Sequence, residues 1–417
     1  MKYEERRRVV ITGLGPVTPI GIGKDSFWNG VTTGRSGITS LSSLQLFPSL
    51  ENFRSQVVAA TQAESLLGPI FHQNRFARIA RLAFQLAMED AGLRGDVLHR
   101  SAVVMGNAVG GTMAMEQCFL GMDDGISLRE ELTPSDLMRQ MSFHTITHEI
   151  AQLIQCEGPV LTMSTGCTAG IDAIGTGVEI IQSGVADIAV CGGAEAPITP
   201  IVFAAFDVIG ALSQRNDNPT SASRPFDDSR DGFVLGEGAA VLIIEERRHA
   251  LARGAHIYAE ITGFASLSNG YHMTDLPADG TALAQCMSAC LDDAGVDPSD
   301  VDHVNAHGSS TKQNDTCETN AIKTALGHDQ AYKITVNSLK SMIGHALGAS
   351  NSIELCACAL SLERQFVFAT TNLEKADPTC DLDYVPNCGR RAGLNHLVKL
   401  SSGFSGIHSV MSLAVPD

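Results

Sequence analysis

The stretches TMSTGCTAGIDAIGTG (residues 162–177) and TVNSLKSMIGHALGAS (residues 335–350) share an order of features that decides the fold. In each, an apolar strand leads to a reactive side chain, and a glycine-rich helix follows. Strands that alternate with helices are typical of an α/β protein. The likeness between the two stretches is loose, but it points to a pseudo-twofold architecture of two similar halves.

The rest of the chain repeats this alternation. Short apolar runs bounded by glycine predict largely buried strands, and longer stretches of helical period predict the helices between them. The predicted strands span 9–12, 102–105, 160–164, 188–191, 239–244, 301–305, 334–337, 397–401 and 410–413, and the predicted helices include 76–91, 170–183, 280–294 and 350–363. No Pro/Ser/Gly-rich linker or block of charge divides the chain, so we expect the halves to pack into one body.

The composition excludes several classes of protein. Of the 417 residues, 44% are hydrophobic and 18% are charged, and the formal net charge is −17. A chain this apolar can bury enough surface to fold, which excludes disorder, and it resembles neither a collagen nor a coiled coil. The negative charge disfavours nucleic acid and anionic membranes as partners. Soluble domains average about 25% charged residues, so the lower fraction suggests an oligomer with a large interface.

The N-terminal segment and the cysteines indicate the compartment. The start, MKYEERRRVVITG, contains an apolar run of only four residues, which is too short for a secretory signal, and no run of about 18 apolar residues occurs. The 11 cysteines stand singly, without C-x-x-C pairs, unlike a disulfide framework or a zinc site. We therefore expect a cytoplasmic protein without a metal site, in which most cysteines are buried thiols.

Cys167 has a setting that suits a nucleophile. It follows an apolar strand and precedes small residues that begin a helix, in the sequence STGCTAG (residues 164–170). At the start of a helix, the positive end of the dipole and the free N–H groups can lower the pKa of a thiol and hold an oxyanion. The alternative is a buried structural cysteine, which is the more common role of a single cysteine.

Two histidines complete a candidate catalytic trio. His307 follows the apolar strand of VNAHGSST, and His345 ends SLKSMIGH, with Lys340 five residues before it. A single histidine is more often structural than catalytic, but two of them at strand ends in Gly/Ser-rich surroundings indicate a site. Neutral imidazoles can donate hydrogen bonds to an enolate, and a thiolate can capture an acyl group. The trio therefore suits acyl transfer with formation of a carbanion.

The other motifs in the sequence give weaker evidence for a function. No nucleotide-binding G-x-G-x-x-G element or phosphate loop is present, so we expect no cofactor of that kind. His303 and His307 have a metal-binding spacing only on a helix, and their segment predicts a strand. Arg75, Arg78 and Arg81 recur every third residue on a predicted helix, giving either a solvated face or a basic stripe on an acidic protein.

With these residues assembled, the sequence resembles the β-ketoacyl synthases of the thiolase-like superfamily over essentially its whole length. The resemblance rests on STGCTAG, SRPFDDSRDGFVLGEGAA, NAHGSSTKQND, NSLKSMIGHALGA and CDLDYVP. It implies a five-layered αβαβα fold of two pseudo-symmetric halves with mixed sheets, residues 1–255 carrying the nucleophile and residues 256–417 carrying the two histidines.

The resemblance also implies residue roles. Cys167 would be acylated, and His307 and His345 would drive decarboxylation of a malonyl extender and bind the enolate. Lys340 would support them with Glu318 as its carboxylate partner, and Ser309 and Thr311 are further supporting candidates. The backbone N–H groups of Cys167 and Phe404 would form the oxyanion hole, with Phe404 the gate of the acyl pocket.

Several segments are most similar to the catalytic (alpha) ketosynthase subunit of bacterial type II polyketide synthases. These are PITPIVFAAFD, NAVGGTMAMEQ, HGSSTKQND and SGFSGIHSVM. That branch implies a heterodimer with a homologous chain-length factor that lacks the active cysteine, and an acyl carrier protein whose phosphopantetheine carries the substrates, with no other cofactor. The segments GYHMT, RNDNP and CDLDYVP are also similar to the homodimeric synthase II of fatty-acid elongation, and a non-catalytic chain-length subunit is a remote alternative.

Two further expectations concern partners and ions. The carrier protein would itself be acidic, so the stripe of Arg75, Arg78 and Arg81 is a candidate docking surface. Some relatives bind a structural cation through an asparagine and through positions that match Asn305 and Glu354. Here Leu400 stands in place of that asparagine, which puts the cation in doubt.

Overall fold

The computed structural model describes residues 6–44, 52–61, 64–67, 75–120 and 134–417. Its strands are β1 (Val9–Thr18), β2 (Gly21–Ile22), β3 (Thr39–Ser40), β4 (Val57–Ala59), β5 (Ala102–Gly106), β6 (Val160–Met163), β7 (Ile188–Glu195), β8 (Leu235–Gly236), β9 (Gly238–Glu246), β10 (Ala259–Ser268), β11 (His303–Asn305), β12 (Thr335–Asn337), β13 (Phe366–Val367), β14 (Arg390–Arg391), β15 (His396–Gly403) and β16 (Ile407–Ala414).

The helices lie between these strands. They are α1 (Lys24–Thr32), α2 (Glu64–Leu67), α3 (Arg75–Asp90), α4 (Thr112–Leu120), α5 (Pro134–Met141), α6 (Thr145–Leu153), α7 (Ala169–Gln182), α8 (Pro200–Val208), α9 (Arg247–Ala252), α10 (Thr281–Ala294), α11 (Lys312–Leu326), α12 (His328–Ala331), α13 (Lys340–Ile343) and α14 (Ser350–Arg364). Within the described ranges, no helix combines the length and the apolar character needed to cross a membrane.

The large sheet consists of two half-sheets with the same pattern. One runs β6-β5-β7-β9-β1 and the other runs β12-β11-β15-β16-β10. In each half, the first three strands are parallel to one another. The fourth strand pairs antiparallel with the third, and the fifth pairs antiparallel with the fourth. β1 and β10 pair antiparallel at the centre and join the halves. This correspondence confirms the pseudo-twofold architecture that the sequence indicated.

Helices fill three layers around the half-sheets. α7 and α14 form the central layer, and their buried side chains share one hydrophobic core with β1, β7 and β9. Gly170 of α7 lies so close to α14 that an added Cβ would be 2.3 Å from Ser352 Oγ. α3 covers the outer face of one half-sheet, and α10 and α11 cover the outer face of the other. The result is the expected αβαβα fold.

Every predicted strand and helix is present, and several elements were not predicted, among them β10 and α11. The sequence of β10, AEITGFASLS, ends in Ser266, Leu267 and Ser268, which are exposed, and polar residues interrupt its apolar ones, so it lacks a continuous apolar run. α11 reads KQNDTCETNAIKTAL, and its Thr311 side chain accepts the N–H of Asn314 as a helix cap. The proposed division at residues 255 and 256 lies between α9 and β10 and stays a prediction, since both halves share one sheet.

Candidate active site

Cys167 lies on a tight turn between β6 and α7. After β6, residues Gly166–Thr168 form a single 3-10 turn, and α7 begins at Ala169. Gly166 has a φ of +64°, although an added Cβ would meet no atom within 4 Å. The glycine is therefore needed for the left-handed backbone at the bend and not for packing space. The turn places the Cys167 side chain in the wall of a large cavity, as expected of a nucleophile.

Asp172, on the first turn of α7, holds the nucleophile turn in place. Its carboxylate accepts hydrogen bonds from the hydroxyls of Thr165 and Thr168, which flank Cys167. The other carboxylate oxygen accepts the hydroxyl of Ser409 on β16. Asp172 is 4% exposed, so these charge-assisted bonds form away from solvent. One buried carboxylate thus ties the nucleophile turn to a strand of the other half.

Two backbone N–H groups converge on the Cys167 sulfur. Burial raises the pKa of the Cys167 thiol to about 11, although the Lys340 charge and the backbone N–H groups of Phe404 and of Cys167 itself act to lower it. The expectation of a lowered pKa is therefore wrong, because desolvation dominates over the helix start. The same two N–H groups are those that the resemblance assigned to an oxyanion hole, and that role stays a prediction. Asn351 of α14 supports the turn by donating to the Cys167 carbonyl.

His307 follows β11, and a buried carboxylate fixes its backbone. Glu318 on α11 accepts the N–H of His307 and the N–H of Gly308, each at 2.6 Å. Lys340 Nζ donates to the His307 carbonyl at 2.7 Å. The backbone of His307 is thus held from two sides, and its ring lines the cavity that Cys167 also lines.

His345 enters the same cavity from the end of α13. The preceding Gly344 has a φ of +65°, and an added Cβ would be 2.7 Å from the Val234 carbonyl oxygen. Nδ1 of His345 lies 2.8 Å from the hydroxyl of Ser350. The rings of His307 and His345 stand edge to face, with centroids 5.1 Å apart and planes at 84°. The two histidines therefore form one paired group.

Both histidines are neutral near pH 7. Burial lowers the pKa of His307 and of His345 well below 6.5, and the nearby Lys340 charge lowers both further. When the Ser350 hydroxyl donates to Nδ1 of His345, the ring proton resides on Nε2, the remaining nitrogen. Neutral imidazoles in this form can donate hydrogen bonds to a developing oxyanion and do not add charge to the site.

The expected pairing of Lys340 with Glu318 is wrong. Lys340 Nζ lies 2.6 Å from Glu354 Oε1 on α14, while Glu318 is occupied by the backbone of the His307 turn and by the side chain of Asn314. Lys340 and Glu354 are both essentially without solvent exposure. A buried lysine needs a hydrogen-bonded anion at contact distance, and α14 supplies it. Glu318 is instead a backbone anchor.

The residues around Glu354 do not fit the structural cation of some relatives. The Lys399 ammonium lies 2.7 Å from Glu354 Oε2 and donates to the carbonyl oxygens of Leu400 at 2.8 Å and of Ala306 at 3.1 Å. These oxygens are of the type that a hard cation needs as ligands. A positive charge from the chain itself therefore stands among them.

A cavity of about 610 Å³ joins the nucleophile to the two histidines. An aromatic row closes one side: Phe233 packs on His345 at 5.3 Å, Phe206 on Phe233 at 5.2 Å, and Phe404 on Phe206 at 6.0 Å between ring centroids. Phe404 is 38% exposed at the end of this row. It lies at the cavity rim, and its role as the gate stays a prediction.

Ser405, which follows Phe404, has an unusual backbone conformation. This residue has a φ of +69°, in the left-handed region where a side chain is strained. Its N–H donates to the Met273 carbonyl at 2.6 Å, which fastens the loop to the neighbouring segment. A backbone hydrogen bond therefore fixes the loop that carries Phe404.

Ser309 and Thr311 lie on the wall of the cavity between His307 and α11. Their hydroxyl oxygens are 2.9 Å apart, and Thr311 also caps α11. Both hydroxyls lie along the cavity that leads to Cys167. Their role in supporting the reaction stays a prediction.

The proposed arginine stripe is wrong at its first residue. Arg75 has no exposed surface, and its guanidinium pairs with the buried carboxylate of Glu237. Residues six positions apart on a helix point about 120° apart, so Arg75 faces the core whereas Arg81 faces solvent. Arg78 is half-buried. Docking at Arg78 and Arg81 stays a prediction.

Sequence reasoning missed the buried acids that position the site. Glu195, at the end of β7, accepts the N–H groups of Ala108 at 2.6 Å, Val109 at 3.2 Å and Gly348 at 3.1 Å, and burial raises its pKa to about 7. Asp172 is a second missed acid, and Glu354, which the sequence suggested only as a cation ligand, instead pairs with Lys340 and Lys399. Each stands alone in an apolar segment, which is the signal that could have identified them, since an unpaired charge there would be costly.

The fold and the site together define a thiolase-like condensing enzyme. The profile of the β-ketoacyl synthase N-terminal domain matches residues 6–250, and the profile of the C-terminal domain matches residues 258–374. The chain therefore belongs to the β-ketoacyl synthase family, and it is an acyltransferase.

Individual relatives extend over the full chain. It is 42% identical to the tetracenomycin polyketide synthase ketoacyl synthase alpha subunit of Streptomyces glaucescens, covering 100% of this chain and 99% of that one. It is 40% identical to the 3-oxoacyl-[acyl-carrier-protein] synthase 2 of a Synechocystis strain, covering 97% of each.

Two solved structures are similar to this chain over nearly its whole length. One is a type II polyketide synthase acyl carrier protein in complex with its ketosynthase bound to the hexaketide, with a TM-score of 0.90, 42% identity and coverage of 99% of this chain and 100% of that one. The other is the ishigamide ketosynthase/chain length factor, with a TM-score of 0.87, 33% identity and the same coverage.

Proposed function

We propose that this protein is the ketosynthase alpha subunit of a type II polyketide synthase and catalyses decarboxylative Claisen condensation. The observation that carries the proposal is the single cavity that joins Cys167, at an oxyanion hole, to two neutral histidines. Similarity to the Streptomyces alpha subunit over the whole chain supports the assignment to a type II polyketide synthase.

Acylation of Cys167 is the first half-reaction. The sulfur attacks the thioester carbonyl of an acyl chain on the carrier protein, and the carrier thiol leaves with a proton. The backbone N–H groups of Cys167 and Phe404 stabilise the tetrahedral oxyanion. Because the pKa of the free thiol is raised, the sulfur must lose its proton as it attacks, and a base is needed only in this step.

Condensation is the second half-reaction. His307 and His345 donate hydrogen bonds to the thioester oxygen of malonyl carrier protein while its carboxylate leaves as CO2 and the electron pair forms an enolate. The enolate carbon then attacks the acyl group on Cys167, forming a carbon–carbon bond and releasing the thiolate. Neutral rings suit this role, because a protonated imidazole would pair with the malonyl carboxylate and oppose its loss.

The partners follow from the similar structures. We propose that an acyl carrier protein delivers both substrates on phosphopantetheine, with no other cofactor, and that a homologous chain-length factor is the second subunit. β6 is the edge strand of the large sheet, and Val160 and Leu161 on it are each 42% exposed. An apolar sheet edge of this kind suits the partner subunit. The cytoplasmic location stays a prediction.

Fatty-acid elongation as a homodimer is the second candidate, supported by the 40% identity to the synthase 2 relative. Expression alone and co-expression with a chain-length factor distinguish the two. The polyketide function predicts that the chain condenses malonyl units only with the partner, whereas the elongation function predicts an active homodimer. The presence of Cys167, His307 and His345 argues against a non-catalytic chain-length subunit.

Substitution of the nucleophile tests the proposal. With acyl carrier protein as donor, intact-protein mass spectrometry should show one acyl group on the wild type and none on Cys167→Ala. Cys388→Ala is the matched control, because Cys388 is exposed and its loss should leave acylation unchanged. Acylation of Cys167→Ala, or condensation at the wild-type rate in that variant, would show the assignment to be wrong.

A further inference from the structure

Lys399 is a buried lysine in a cage of oxygen atoms. Its side chain has no exposed surface, and Nζ is bound by Glu354 Oε2 at 2.7 Å and by the carbonyl oxygens of Leu400 and Ala306 at 2.8 and 3.1 Å. An ammonium group is rarely buried without an anion and several acceptors, since it loses its hydration. Here the protein supplies oxygens in the way that it would for a dehydrated metal ion.

The cage joins the segments that carry the catalytic groups. Lys399 on β15 pairs in register with Asn305 of β11, and Ala306 directly precedes His307. Leu400 continues along β15 toward Phe404. The second oxygen of Glu354 binds Lys340, which in turn holds the His307 carbonyl. One ammonium therefore links the His307 strand, the gate strand and α14.

We propose that the Lys399 ammonium replaces the structural cation that the family resemblance implied beside Asn305 and Glu354, so that this chain carries its own cation and binds no monovalent metal ion there. The acceptors are already occupied by a positive charge, and a second cation at contact distance would be repelled. Asn305 Oδ1 is a buried oxygen without a hydrogen-bond donor among the described residues, as expected for a ligand position that the ammonium does not reach.

Lys399 acts as a positioning residue in this arrangement. It does not line the cavity, but its charge adds to that of Lys340 in keeping His307 and His345 unprotonated. A bound sodium or potassium ion would supply the same single charge only when the ion is available. The protein should therefore be independent of the monovalent cation in solution.

Thermal unfolding in two salts of equal ionic strength tests the proposal without relying on activity. The wild type should have the same Tm in potassium chloride and in choline chloride. Lys399→Ala should lose about 3 to 6 °C in choline chloride, because Glu354 keeps only one of its two cations. Potassium chloride should restore most of that loss with a saturating concentration dependence, because the ion enters the emptied cage.

Lys399→Met is the matched control, because its side chain fills the space without a charge. Its Tm should be lower than that of the wild type in both salts, and potassium chloride should not raise it above the value in choline chloride. A saturating potassium effect on the wild type would overturn the proposal, as would equal Tm values of Lys399→Ala in the two salts. Failure of Lys399→Ala to fold in potassium chloride would also overturn it, since the ion would then not replace the ammonium.

Discussion

Replacing Asp172 by asparagine should slow acylation of Cys167 and leave decarboxylation of malonyl carrier protein intact. The carboxylate holds the hydroxyls of Thr165, Thr168 and Ser409, whereas the amide keeps the shape and loses the charge. Hydrogen bonds to a charged group contribute about 1.5 to 3 kcal/mol and neutral ones about 1 kcal/mol, so three bonds that each lose the difference cost roughly 1.5 to 6 kcal/mol.

The expected change in Tm follows from the size of the chain. An unfolding entropy of about 2.1 cal/mol/K per residue gives about 0.9 kcal/mol per degree for 417 residues, so Asp172→Asn should lower Tm by roughly 2 to 7 °C. A displacement of the nucleophile by a fraction of an ångström should reduce acylation about tenfold. The fold would remain, so the loss of rate should exceed the loss of folded protein.

The assay measures the two half-reactions separately. Acyl transfer from the carrier protein to Cys167 is followed by intact-protein mass, and CO2 release from malonyl carrier protein is followed in parallel. Asp217→Asn is the control, because it changes the same charge at an exposed position. Wild-type acylation in Asp172→Asn, or an equal fall in both half-reactions, would refute the role assigned to Asp172.

Three further results are expected. Glu318→Gln should reduce decarboxylation about tenfold and acylation little, in the same two assays, because Glu318 anchors His307 and does not contact the cysteine turn. Arg75→Ala should destabilise the protein by about 3 to 5 kcal/mol in denaturant unfolding, whereas Arg81→Ala should change stability by less than about 0.5 kcal/mol. Decarboxylation should stay constant in a pH–rate profile from about pH 8 to about pH 6, since the pKa of His307 and of His345 lies well below 6.5; rings of ordinary pKa would be only about one quarter neutral at pH 6.

The fold was largely predictable from apolar runs. β7 and β9 are buried on both faces and therefore read as continuous Ile, Val and Ala segments. β10 was missed because its second half is exposed and carries serine and alanine. α11 was missed because its buried face contains Asn314 and Glu318, whose partners come from distant segments and give no local signal.

The reactive residues were predictable, but their supports were not. Cys167 and His307 each follow a strand and stand next to a glycine, and this local pattern is visible in the sequence. His345 also stands next to a glycine, but it follows the short helix α13 and not the strand end that the sequence predicted. The partner of Lys340 depends on how α14 packs, so the sequence suggested Glu318 where the structure has Glu354. Burial of Arg75 depends in the same way on Glu237, a residue far along the chain.

Separate measurement of the half-reactions in single variants tests most directly whether Cys167 carries out acylation and the two histidines carry out decarboxylation. His307→Ala and His345→Ala should still accept an acyl group on Cys167 and should lose CO2 release from malonyl carrier protein by at least about 100-fold. Cys167→Ala should show the reverse, with no acylation and persisting CO2 release. Undiminished CO2 release in both histidine variants would contradict the account.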